Sequence, residues 1–126
     1  MTTTALKELI TEIEDGGNSR ELADRVLEIY GWDLRFYNDD RIRTTSPPDP
    51  LNNLQDATLG VPDDITWILK SEPLRDGGRY HTVSWDWTRN TGTNRYSPKV
   101  NAHREPARAL TLACLKAELA RREMEE

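Results

Sequence analysis

One cysteine, two histidines and two pairs of adjacent aspartates hold what reactive chemistry this sequence offers. A nucleophilic cysteine needs a lowered pKa and a base within reach. Cys114 falls mid-helix between Leu110 and Ala117, on an arc of small residues, and reads as a small core hydrophobe. His81 shares a strand face with Val83 and Trp85, and reads as half-buried with a backbone partner. A zinc site would need two ligands beyond His81 and His103, and Cys114 lies too far along the chain from His103 to join it. No metal and no cofactor is therefore expected. Asp39-Asp40 and Asp63-Asp64 sit in turns, where aspartate bonds to its own backbone. A hydrolase would need two carboxylates facing across a cleft. Gly16-Gly17 and Gly77-Gly78 lack the strand–loop–helix frame of a phosphate loop. No catalytic residue is assigned.

Binding offers more. Arg89, Arg95, Lys99 and Arg104 are interleaved with Trp87 and Tyr96, and Arg79, Trp85 and Arg108 lie close by in sequence. Aromatic rings among basic side chains can stack bases or hold an acidic protein surface. The plainer reading makes the aromatics core and the arginines a solvated rim.

Charge helps to choose the partner. The 126 residues carry a net charge of −5, with 36% apolar and 31% charged side chains. Residues 1–40 hold ten acidic and four basic groups, residues 41–78 six and four, and residues 79–126 six and nine. The negative charge belongs to the N-terminal helices, and the last third could present a basic face. An acidic remainder repels a phosphate backbone, so a protein partner is expected before a nucleic acid. No apolar run reaches membrane-spanning length. The start, Met1 to Ala5, lacks the pattern of a signal peptide. One cysteine rules out an internal disulfide, and a cytoplasmic location is expected.

These residues need elements to position them. A first helix is predicted from about Thr4 to Glu14, with Leu6, Leu9, Ile10 and Ile13 as its stripe and Thr3 or Thr4 as its cap. Asp15 to Asn18 stops it. Ser19 caps a second helix that buries Leu22, Ala23, Val26, Leu27 and Tyr30 and ends at Gly31. The two read as an antiparallel hairpin. Trp32, Leu34 and Phe36 alternate, as a short edge strand or as pinned chain. Asn38 to Pro50 is a turn-rich loop, and a short helix from Leu51 ends at Gly60. Strands follow at Ile65–Leu69, Arg79–Trp87 and Arg95–Val100, the last on an edge because of Pro98. The turn between the first two spans Glu72 to Gly78. The fold class is α+β: an N-terminal helical hairpin, a short antiparallel sheet of three to four strands, and a long C-terminal helix. Residues 1–126 form one domain.

That last helix runs from His103 to Glu126, with Pro106 just inside its start. Leu110, Ala113, Cys114, Ala117 and Ala120 fall on one arc, mostly small, suited to close approach to a sheet. Leu112, Leu115 and Leu119 form a second apolar line. Either another helix of the chain covers that line, or it is an oligomer contact in a homodimer.

Three segments resemble the small phage and prophage proteins that carry the phage ABA-sandwich domain. They are Ser19-Arg20-Glu21-Leu22-Ala23 running to Tyr30-Gly31-Trp32, Leu54-Gln55-Asp56-Ala57 with Leu59, Val61-Pro62 and Trp67, and the Ala/Leu helix from Pro106 to Leu115. The resemblance implies helix–sheet–helix layering and a phage or prophage origin, and it transfers no enzymatic activity, since the family has no agreed biochemical function. The expected function is that of a non-enzymatic accessory protein acting by protein binding, on a host or defence factor or on the phage's own proteins. A nucleic-acid binder using the basic C-terminal half is one alternative. A small enzyme with a site in the strand–helix loops is another.

Overall fold

The computed structural model describes residues 2–31, 48–61, 65–87 and 101–125. Helix α1 spans Thr3–Glu14, and Thr2 caps it by accepting the Ala5 N–H at 3.1 Å. The cap falls one residue before the expected pair of threonines. Helix α2 spans Arg20–Ile29, and the Ser19 hydroxyl accepts the Leu22 N–H at 3.2 Å. The expected stripes are the buried ones: Leu6, Leu9, Ile10 and Ile13 on α1, and Leu22, Ala23, Val26 and Leu27 on α2. Gly16 between the helices has φ +101°, a conformation that side chains with a Cβ rarely adopt.

The end of the proline cluster is tied down rather than loose. Asp49 accepts the Leu51 N–H at 3.2 Å through its carboxylate, and Asp56 accepts the Asp49 N–H at 2.8 Å. Arg20 donates to the Pro48 carbonyl at 2.7 Å. Leu51 is buried under this turn. Helix α3, Leu54–Ala57, follows with Asn53 as its cap, and a single 3-10 turn closes it at Gly60. A Cβ on Gly60 would collide with the Tyr30 ring, so the absence of a side chain is what lets α2 and this turn meet.

The sheet has three strands among the described residues, in the order β1 (Ile65–Pro73), β2 (Arg79–Trp87), β3 (Asn101–His103), all antiparallel. β1 runs four residues past its expected end at Leu69. Lys70, Ser71 and Glu72 are exposed there, so the apolar alternation that marks a half-buried strand is missing although the pairing continues. The turn shrinks to Leu74–Gly78, where Gly77 has φ +90° and the Asp76 carboxylate accepts the Gly78 N–H at 2.9 Å. The expected strand at Arg95–Val100 and the alternation at Trp32–Phe36 lie outside the described residues. Among the described residues the strand that pairs with β2 is Asn101–His103, directly after the expected one.

Helix α4, Pro106–Glu125, begins three residues later than expected because His103 belongs to β3. It runs antiparallel to α1: Lys7 reaches Glu123 at 3.4 Å and Glu14 reaches Lys116 at 3.5 Å. One side of α4 puts Leu112 and Leu115 into a buried cluster with Leu6, Leu9, Ile13, Leu22 and Val26. The other side puts Ala109, Leu110, Ala113 and Cys114 against Val83 and Ala57, with Trp67 and Leu69 packed on the edge. The expected layering had a sheet between helices. Among the described residues the order is different: α1 and α2, then α4, then the sheet. Two apolar sides on one helix make that helix the middle layer. The resulting fold is α+β, with a helical pair, a small antiparallel sheet and a long helix packed on both.

Candidate functional site

Cys114 is 4% exposed, and burial pushes its thiol up to about 12. Such a group stays a neutral thiol at neutral pH and is no activated nucleophile. Tyr30 crowns the same region and packs against both buried clusters. Burial first, then the neighbouring Cys114, raises its phenol well above the ordinary value. The Tyr30 hydroxyl lies beside Thr111 and Cys114 but outside hydrogen-bonding geometry. Thr111 is itself committed, donating to the Pro50 carbonyl at 2.8 Å.

The histidines come together although 22 residues separate them: His81 and His103 are direct partners across β2 and β3. Directly opposed residues share a sheet face. The expected backbone partner of His81 is not at Nδ1, which is buried with no hydrogen-bond partner. His103 Nδ1 accepts the Glu105 N–H at 3.0 Å, so in the neutral ring Nε2 carries the hydrogen. Among the described residues no three His, Cys, Asp or Glu side chains gather as a metal site. Asp39-Asp40 and Asp63-Asp64 lie outside those residues.

Of the expected binding residues, Arg89, Arg95, Tyr96 and Lys99 lie outside the described part, as does the side chain of Trp87. Arg104 is exposed, but its charge is matched: Nη2 meets the Asp76 carboxylate at 2.8 Å. That hydrogen bond holds Asp76 below the usual carboxylate range and raises Arg104. Arg79 donates to the Ser71 hydroxyl at 2.7 Å. Arg108 does not join a basic surface. It is 9% exposed and reaches inward, where Nη1 donates to the Gly16 carbonyl at 3.3 Å. At the C-terminal end of α1 that cation meets the negative end of the helix dipole. Its Nε has no partner.

Leu112 and Leu115 are covered by α1 and α2, and Leu119 packs partly buried against the same cluster. Of the two readings of this leucine line, coverage within the chain is the one observed. Beside Leu119 a shallow groove of about 390 Å³ runs between α1 and α4, floored by Ile10 and Ala120 and edged by Lys7 and Lys116.

The feature missed from the sequence is the outer face of the hairpin. Thr66, Ile68, Lys70 and Glu72 of β1 point away from α4, opposite Asp86, Ser84, Thr82 and Tyr80 of β2 in the register. Ile68 is 60% exposed and Tyr80 37%. The signal was available: if Trp67 and Leu69 face the core, Ile68 must face away. No helix of the described residues is long and apolar enough to cross a membrane. Compared with known proteins, the chain matches no family model, no curated protein and no solved structure.

Proposed function

We propose that the chain is a non-enzymatic accessory protein of phage or prophage origin, acting in the host cytoplasm by binding another protein through the outer face of the β1–β2 hairpin. The origin rests on the ordered resemblance of the segments around Ser19–Ala23, Leu54–Trp67 and Pro106–Leu115. The observation that carries the binding role is Ile68. A branched apolar side chain stands mid-strand in water on a regular, paired backbone, with Tyr80 at the other end of the same face. Lys70 lies between them and Glu72 stands opposite Tyr80, adding charges of both signs. A rigid face carrying apolar, aromatic and mixed polar groups has the make-up of a protein interface. Burying Ile68 under a partner is worth about 1.5–3 kcal/mol.

The test starts with a tagged chain expressed in host cells and the partner that co-purifies with it. Binding of that purified partner is then compared for wild type and Ile68→Glu. The substitution should weaken binding about tenfold or more and leave the circular dichroism spectrum unchanged. Unchanged affinity would remove this face from the proposal. A co-purified nucleic acid whose binding falls steeply with salt would favour the nucleic-acid reading instead.

A further inference from the structure

The link from the sheet to the central helix is very short. β3 ends at His103, and α4 starts at Pro106. Glu105 opens the helix, since its carbonyl accepts the Ala109 N–H at 3.0 Å. The Glu105 N–H points back to His103 Nδ1 at 3.0 Å. One imidazole therefore holds the entry to a 20-residue helix and sits in the strand that precedes it.

Only the neutral ring can do this. An imidazolium carries a hydrogen on both nitrogens and has no lone pair for the Glu105 N–H. It would also set a cation at the positive end of the α4 dipole. The charged and titratable groups around the ring are named from each element. α4 supplies Arg108, Glu105 directly precedes α4, α1 supplies Glu14, and β2 places His81 opposite. Arg104, next in the chain, is committed to Asp76 at the β1–β2 turn. Burial and then Arg108 push His103 below its ordinary value, while Glu105 and Glu14 pull the other way. The ring is only partly buried, so protons can reach it.

We propose that His103 is a proton-operated latch on the β3–α4 junction. When neutral it holds Glu105, and with it the β3–α4 junction, in place; when protonated it releases the junction. Among the described residues β3 pairs with β2 at three positions, His81, Thr82 and Val83. The direction follows from linkage. The fold favours the neutral ring, so the stability His103 adds is complete above the unfolded value of about 6.5. It declines as pH falls from there through the lower folded value.

Backbone hydrogen exchange tests the latch, with rates converted to protection so that the pH dependence of the chemistry cancels. Wild type, His103→Asn and His81→Asn are compared at about pH 7.5 and about pH 5. Asparagine at 103 can still accept the Glu105 N–H and cannot titrate. In wild type, protection over residues 101–105 should fall about fivefold on acidification, the worth of one hydrogen bond. His103→Asn should keep its protection, and His81→Asn should behave as wild type. Equal acid loss in wild type and His103→Asn, or no loss in wild type, overturns the latch. The wild-type His103 ring titration by NMR decides the matter even if His103→Asn misfolds: a midpoint at or above about 6.5 overturns it as well.

Discussion

Leu112 and Leu115 on one side of α4 meet the leucines and isoleucines of α1 and the leucine and valine of α2, large side chains against large. On the other side Ala109, Ala113 and Cys114 bring the helix close to Val83 of the sheet and Ala57 of α3, with Leu110, Trp67 and Leu69 as larger members of the same cluster. Both sides are buried, but by different means. The helical side gains from apolar area; the sheet side gains from closeness. An interior packed to crystal density feels a volume change of either sign, and the two sides should therefore fail in opposite directions. The helical side should suffer from removal of volume and the sheet side from its addition.

The largest expected effect is at Leu115, which is 0% exposed. Leu115→Ala removes buried area and leaves a cavity, and should destabilise the fold by about 3–5 kcal/mol in urea unfolding. A loss below about 1 kcal/mol would mean that α1 and α2 collapse onto the gap and are not fixed against α4. The converse change on the sheet side is Ala113→Leu. Ala113 is also 0% exposed, and an isobutyl group there has to push β2 or α3 away from α4. It should cost about 1–3 kcal/mol. If Ala113→Leu is neutral or stabilising, the sheet side holds a void and the contrast between the two sides disappears.

What the sequence disclosed follows the same division. The large-residue stripes of α1 and α2 and both lines on α4 were legible, because leucine and isoleucine at helical spacing report burial directly. The cap at Ser19 and the turn at Gly77 are matters of local chemistry, and local chemistry can be read residue by residue. Layer order was not legible. Two apolar lines say that α4 has two neighbours, but not which neighbour lies between which. The end of β1 was hidden by Lys70-Ser71-Glu72, polar on a strand that solvent reaches from both sides. The pairing of Asn101–His103 with β2 is a tertiary matter, and the meeting of His81 with His103 depended on it. Arg108 misled for a different reason. A charge in a sequence suggests solvent, and this one finds the carbonyl end of α1 instead, a partner set by tertiary packing alone.

The smallest effect is expected where the two sides meet. Tyr30 packs against both clusters, and its hydroxyl is buried without a hydrogen-bond partner. A phenyl ring fills almost the same volume and brings no donor to satisfy. Tyr30→Phe should thus be neutral or stabilising by about 1 kcal/mol at neutral pH, since an unmet buried hydroxyl carries its whole desolvation cost. The gap should widen in alkali. Burial raises the folded Tyr30 phenol above its unfolded value of 10.0. A raised acid contributes stability that is complete below the unfolded value and is lost as pH climbs past it. Wild type should therefore lose stability above about pH 9 through Cys114, whose thiol is raised from 9.0 to about 12, and further above about pH 10 through Tyr30. Tyr30→Phe should retain only the Cys114 part of that loss. Urea unfolding of both proteins at neutral pH and near pH 11 gives the two differences. A Tyr30→Phe protein that is less stable at neutral pH by more than about 1 kcal/mol would show that the hydroxyl has a partner after all. The join between the leucine side and the alanine side would then be a polar contact, and the two sides would be coupled through it.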